Sequence, residues 1–479
     1  MINSDQSHRS RILQLARSNA VERAWSLLVE SGLDRQEDDP AALTLTARLV
    51  KDRAKRTYGA ERIRLLRQSA DKYAQAAAID GATYPLINAA TLSFLAGDKA
   101  DSEAGARAVL ARLDSDPSSA ETPYWREATR AEALLLLGRM DEAREAVLRG
   151  IAKAPEAWED HAATLGQLRL LMAEMDMHPG DADWLDVLQP PRSVQFSGVM
   201  GLSADDAAAG KVVCELIDTE APGFAYGALA AGGDILAAEA MRARGGELHI
   251  VLPCAPHLFR THSVTCVDPA WGPRFDRMLE QAATVYCLQD TDGPSTDGIA
   301  LANLVAAGLA RANAVRLQSE AIRLVVTTGS PGAARRSDVG GLRMVEARIG
   351  RTADVAECTL PGNGTARSLV SCMDYTVQTA TFTSAGRAWD AVSDHVAGLD
   401  YRLIDANALK DQSSEAVTIL ARLARDGQKL ATHSFAHALL AERADIRVEP
   451  MGELRGTQGP FAFYALYTEP TGFAATNIT

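Results

Sequence analysis

The pieces VQFSG (194–198), FAYGALAAGGDILAAEA (224–240) and HIVLPC (249–254) decide how the middle of this chain folds. Each opens as, or contains, a short apolar run without alternation, the pattern of strands covered on both faces of a parallel sheet. Gly232 and Gly233 follow the second run directly. Their missing Cβ atoms let a backbone come close to a phosphate, and a helix starting there aims its N–H groups and its positive dipole end at the same spot. Asp234 is placed to cap a helix over 235–244, and Gly245-Gly246 stops that helix before the third strand. Read together, these residues form a unit able to cradle a nucleotide.

Working outward, the pattern continues after the linker Pro190-Pro191. The order is VQFSG, a helix over 204–219, FAYGALA, the GGD helix, LHIVLPC, a helix over 271–283, TVYCL, an Ala-rich helix over 297–320, and IRLVVTTG. Alternation of this kind predicts five parallel strands with right-handed crossovers. Ligands of such sheets bind beyond the carboxyl ends of the strands, at a switch point. Ser197-Gly198, Gly232-Gly233-Asp234, Pro253 and Thr327-Thr328 all fall at those ends.

Composition limits the function classes. A chain of 479 residues exceeds one ordinary core, and two to four domains are expected. With 47% hydrophobic and 23% charged residues it is globular. A formal charge of -13 and the lack of a Lys/Arg run argue against a general nucleic-acid binder. No run of about 18 to 20 apolar residues is read as a membrane span, and MINSDQSHRSRIL lacks a signal-peptide apolar core, so a cytoplasmic location is expected. Cys214, Cys254, Cys266, Cys287, Cys358 and Cys372 form no CxxC pair and read as reduced, buried small hydrophobes.

From Arg9 to about Met177 helical periods are broken every 12 to 20 residues by Gly, Asp or Pro. In ALLLLGRMDEAREAVLRGIAKAP (133–155), Gly138 marks a turn, Ala143, Val147 and Gly150 form an inner face, and Pro155 ends the second helix. These offsets resemble the tetratricopeptide repeat. A looser copy runs through YPLINAATLSFLAGDKADSEAGARAVL (84–110), with Gly97 at its turn, and residues 12–33 offer a third. The wider segment, with YPLINAA at 84–90 and YWREATRAEALLLLGRMDEA at 124–143, also resembles the TRAF-binding helical region of apoptosis-signal-regulating kinases and their bacterial relatives. That resemblance implies a scaffold that binds a protein partner or self-assembles.

The middle segment resembles the SLOG superfamily of Rossmann-like domains, whose members bind nucleotides or nucleotide-derived ligands. Carried over residue by residue, the resemblance implies nucleotide binding by Ser197, Gly198, Gly232, Gly233 and Asp234, with Arg260, Ser337 and Asp338 as further candidates. The related glycosidase motif PGGxGTxxE is approached only by LPGNGTARS (360–368), whose spacing is one residue short and whose glutamate position holds no acid. That stretch reads as a Gly-rich interdomain loop. Glu239 is the acid nearest the glycine turn, but helical phase carries it away from a ligand there, so the sequence supplies no hydrolytic carboxylate.

The last segment, from SLVSCMDYTV (368–377) through EAVTILARLARDGQKLATHSFAHALL (415–440) to MGELRGTQGPFAFYALY (451–467), resembles class III nucleotidyl cyclases. In those enzymes two aspartates hold two metal ions, and an Asn, an Arg and a Lys steady the substrate. Asp374 matches the first aspartate and Arg422 the arginine, while Thr418 stands in the Asn position and Gly456-Thr457-Gln458 lacks the lysine. The hairpin for a second aspartate has no room, so the resemblance implies a vestigial site without metal or catalysis. His433 and His437 lie four apart on a helix with no third ligand evident, and they read as surface or core residues.

The expectation is therefore a multidomain chain: all-α helical repeats over 1–185, an α/β Rossmann-like parallel sheet over 190–345, and an α+β cyclase-like domain over 365–470. Its expected work is bacterial signalling, sensing a nucleotide and coupling it to protein assembly. A hydrolase, a cyclase completed by a partner chain, and a purely structural assembly protein are the alternatives.

Overall fold

The computed structural model describes residues 2–17, 21–115, 121–175, 177–289, 291–328, 341–350, 358, 360–361, 364–374, 376–392, 397–405, 415–424, 428–457 and 459–468. The chain divides into two compact units, Met1–Pro190 and Pro191–Thr479.

The first unit is helical. Its elements are α1 (Ile2–Arg17), α2 (Val21–Glu30), α3 (Pro40–Ala54), α4 (Gly59–Asp80), α5 (Thr83–Leu95), α6 (Lys99–Ser115), α7 (Pro123–Leu136), α8 (Met140–Lys153), α9 (Trp158–Glu174) and α10 (Asp183–Val187). Side chains start two of the helices. Asp39 accepts from the Ala41 and Ala42 amides ahead of Pro40, and Thr122 accepts from Trp125 ahead of Pro123. The turn glycine Gly138, with φ of 72°, lets α8 fold back on α7. Ala143, Ala146, Val147 and Gly150 of α8 then face the α7 core, and the Cβ that Gly150 lacks would lie 3.3 Å from that of Glu127. Small residues at the crossing let the two helices pack closely, as the repeat offsets predict.

The second unit holds two sheets. Its first part contains β1 (Ser193–Gly198), α11 (Ala207–Glu220), β2 (Phe224–Gly227), α12 (Gly233–Ala243), β3 (Glu247–Leu252), α13 (Pro256–Arg260), α14 (Trp271–Glu280), β4 (Thr284–Cys287), α15 (Thr296–Arg316), β5 (Ala321–Thr327) and β6 (Arg343–Arg348). The strands form a parallel sheet in the order β4-β3-β2-β1-β5-β6. The sixth strand, in the stretch LRMVEARI, goes beyond the five expected: it is an edge strand carrying charge among its apolar residues, with no apolar run to announce it.

The second sheet is built from β7 (Gly364–Asp374), β8 (Thr376–Phe382), α16 (Ala385–Ala391), β9 (Ala397–Asp405), α17 (Glu415–Leu423), β10 (Lys429–Thr432), α18 (His433–Glu442), β11 (Ile446–Gly456) and β12 (Gly459–Thr468). Its order is β11-β12-β10-β9-β7-β8, antiparallel except for the β9-β10 pair. The fold class is thus helical repeats followed by a parallel α/β sheet and a mixed α+β sheet.

Helix α15 packs on β1, β2 and β3 and also on α18, β7 and β9, so it joins the sheets. A Cβ at Gly308 would fall 1.8 Å from the His437 carbonyl oxygen, so the two helix backbones all but touch. By length and composition α15 could cross a membrane, which corrects the reading that no segment reaches that hydropathy. Its Ala- and Gly-rich surface is instead buried at Leu301, Ala302, Val305, Ala306, Ala307, Gly308 and Ala310.

The cysteine reading also needs correction. Cys266 and Cys358, 92 positions apart, are joined in a disulfide with Cα atoms 5.8 Å apart, while Cys214 and Cys287 are exposed. Only Cys254 is fully buried among the described free cysteines. A pairing made by tertiary proximity leaves no mark in local sequence.

Candidate functional site

Strands β1 to β4 run outward on one side of β1, and the chain then crosses to β5 and β6 on the other. The order reverses between β1 and β5, which is the switch point. Ser197 and Gly198 end β1 there, paired in register with Val325 and Val326 of β5. Gly232, with φ of 98°, precedes the first residue of α12. Methyl groups would not fit in this turn: one on Gly198 would come 2.5 Å from the Gly233 Cα, and one on Gly233 would lie 2.7 Å from the Gly198 Cα and 2.8 Å from the Val326 Cβ. Gly198, Gly232, Gly233 and Asp234 are therefore brought together, and the glycines are required by close packing of helix on strand.

Asp234 does not cap its helix, contrary to expectation. The helix begins two residues earlier than expected, at Gly233, and the Asp234 carboxylate reaches back to accept from the Ala230 N–H at 3.1 Å. The side chain is 6% exposed, and among the described residues its Oδ1 has no hydrogen-bond partner. Burial pushes its pKa up to about 7, against the pull of the Ala230 and Gly198 amides. The Ala231 and Gly233 amides are also committed, to the Ser263 and Val199 carbonyls. The turn thus presents a buried acid near neutrality beside a helix N-terminus whose loop amides largely serve the fold. A hydrogen-bond donor suits that acid better than a second anion does.

Arg260 lies on α13 and forms a bidentate ion pair with Asp276, at 2.8 and 2.9 Å. Ser337 and Asp338 lie outside the described residues. Glu239 is neutralised by Arg274, whose guanidinium also donates to the Ala204 carbonyl and stacks on Trp271 at 4.2 Å. Of LPGNGTARS, Pro361 packs on Gly293, and the part from Gly364 onward is strand β7, where the Ala366 N–H donates to Asp297.

In the second sheet, Asp374 is the last residue of β7, opposite Thr376 across the hairpin. Thr418 and Arg422 sit on α17, with Arg422 exposed. Thr457, in the position where the cyclase pattern has its lysine, donates from its amide to Glu415 at 2.9 Å. Among the described residues no group of three or more His, Cys, Asp or Glu could hold a metal. His433 and His437 lie in the seam between the sheets: His433 stacks on Tyr286 of β4 at 4.8 Å and faces the Tyr464 hydroxyl at 3.1 Å, and His437 meets the His433 carbonyl.

The helical unit carries a polar network that sequence reasoning missed. Lys51 Nζ on α3 donates to Asn88 Oδ1 on α5 at 2.8 Å. Thr91, one turn further along α5, donates to Glu132 on α7 at 2.6 Å, and Gln167 on α9 donates to the same carboxylate at 3.2 Å. The stretch YPLINAA supplies Tyr84 and Asn88 to this face. Polar residues at i and i+4 within an otherwise apolar helix were the available signal.

Residues 2–93 match the model of the family described as Tetratricopeptide Repeats-Sensor. The N-terminal helices are tetratricopeptide-like repeats. A protein-binding or scaffold role is what such repeats suggest. No curated protein matches the chain. Among solved structures, MamA from Desulfovibrio magneticus RS-1 is 13% identical, covers 38% of this chain and 92% of its own, and superposes with a TM-score of 0.23. A mutant O-GlcNAc transferase of Thermobaculum terrenum is 13% identical, with 64% and 57% coverage and a TM-score of 0.22. Superpositions this loose carry no weight; the family match and the helical hairpins do.

Proposed function

We propose that this protein is a bacterial signalling scaffold that couples a nucleotide or nucleotide-derived ligand, taken at the switch point of the parallel sheet, to protein assembly through its repeats. The carrying observation is the convergence of Ser197-Gly198, the Gly232-Gly233 turn and buried Asp234 beside β5. The ligand's sugar hydroxyl or base amino group would serve as the donor that Asp234 lacks. Residues 1–185, 190–345 and 365–470 are its three working parts, and the cytoplasm is its place. The last part acts as a vestigial cyclase-like module, in keeping with Thr418 standing in the Asn position.

Chromatography of small molecules released when the purified chain is denatured tests this reading. A nucleotide in the extract, with a thermal shift on adding it back that Asp234→Ala removes, is the expected result. A base-free sugar product would favour the hydrolase instead. An extract with no nucleotide, together with no thermal shift from any nucleotide added, would leave a purely structural assembly protein.

A further inference from the structure

Two charges of opposite sign share one face of the helical unit without meeting. Lys51 is held by the neutral amide of Asn88, whose Nδ2 in turn donates to the Tyr84 carbonyl. Glu132 is held by the neutral groups of Thr91 and Gln167. Among the described residues no carboxylate lies within ion-pair distance of Lys51 and no cation within that distance of Glu132, although Lys51 feels the fields of Asp52 and Glu132, and Glu132 that of Lys51. Lys55, one turn on from Lys51, has its side chain 51% exposed and stands 3.7 Å from Asp52.

Burial holds the Lys51 ammonium below its ordinary range and the Glu132 carboxyl above its own. Lys51 and Glu132, drawn out of water and held only by neutral groups, are costly charges, and a ligand supplying both counter-ions recovers that cost.

We propose that this bipolar face binds a partner segment carrying an acid next to a base, with its carboxylate on Lys51 and its ammonium or guanidinium on Glu132. The partly exposed ring of Tyr84 borders the same face. A wholly acidic segment would meet Glu132 and a wholly basic one Lys51, so selectivity comes from repulsion as well as attraction. The proposal rests on the scaffold reading above and adds the chemistry of the partner.

The test is fluorescence anisotropy of the full chain with three labelled peptides of equal length: alternating Glu and Lys, all Glu, and all Lys. The alternating peptide is expected to bind in a salt-sensitive manner, at least about tenfold more tightly than either other. Lys51→Glu or Glu132→Lys should weaken it about tenfold or more, and the double exchange should restore much of the loss, because the peptide can shift register on an inverted site. Circular dichroism melts establish that each variant is folded. Failure of the folded chain to bind the alternating peptide, equal binding of the all-Glu peptide, or indifference to Lys51→Ala and Glu132→Gln would each overturn the proposal. If the charge variants keep their assembly state while removal of residues 1–190 abolishes it, the scaffold reading stands and this site falls. If that removal leaves assembly unchanged, the scaffold reading itself falls.

Discussion

Gly233 shows how one residue type serves two different ends. A glycine after a strand and before a helix suggests room for a phosphate, but here the space is filled by Gly198 and Val326. Gly233→Ala should therefore destabilise the second unit, by about 1–3 kcal/mol, as overpacking against backbone does. Urea denaturation checks this, and an unchanged midpoint would mean that the turn can yield. Loss of ligand binding in a Gly233 variant must accordingly be compared at matched folded fraction. The place of Asp234 at the turn was legible, but the amide its carboxylate reaches was not. Which amide a carboxylate reaches depends on where the helix starts, and a shift of two residues turned a cap into a brace for the preceding loop.

Among elements, α18 bears the clearest pH dependence. Burial pushes His433 down to about 3 and His437 to about 4, below the 6.5 or so of an exposed imidazole. His433 also begins the helix, where a positive charge opposes the dipole. Between those values the unfolded chain binds more protons than the folded one, so the stability these groups permit is full above about pH 6.5 and is lost as pH falls toward 4. Asp234 runs the other way: its raised value makes its contribution fade as pH rises from about 4 through 7. The comparison is therefore between the wild type and His433→Phe/His437→Leu, in which the Asp234 trend is common to both. The variant's melting temperature should therefore gain on the wild type's as pH falls from 6.5 to 4. Parallel curves would show that the pair is not what titrates. Position within the sheet helps explain why β6 escaped detection: β1, β2, β3 and β5 lie inside it and reveal themselves as apolar runs, and the edge strand β4 keeps the apolar stretch TVYCL, whereas β6, at the other edge, carries Arg343, Glu346 and Arg348 among its apolar residues.

For the whole molecule, the division at Pro190 predicts that the segment Pro191–Thr479 folds alone. The fragment should melt cooperatively, retain ligand-induced thermal stabilisation and lose assembly through the repeats. A molten or insoluble fragment would show that the helical unit is needed to complete the second unit's core. The periodicities of the sequence by themselves determined the helical hairpins, the parallel strands and the turn glycines, because those patterns record which face of each element is buried. Only the tertiary structure decided that α15 binds both sheets, that Cys266 meets Cys358, that Asp234 turns back to Ala230, and that Lys51 and Glu132 share one face. These are contacts between residues far apart in the chain or side-chain choices made by packing. Local composition carries no record of them, since the energy that selects each one comes from a neighbour the sequence does not place.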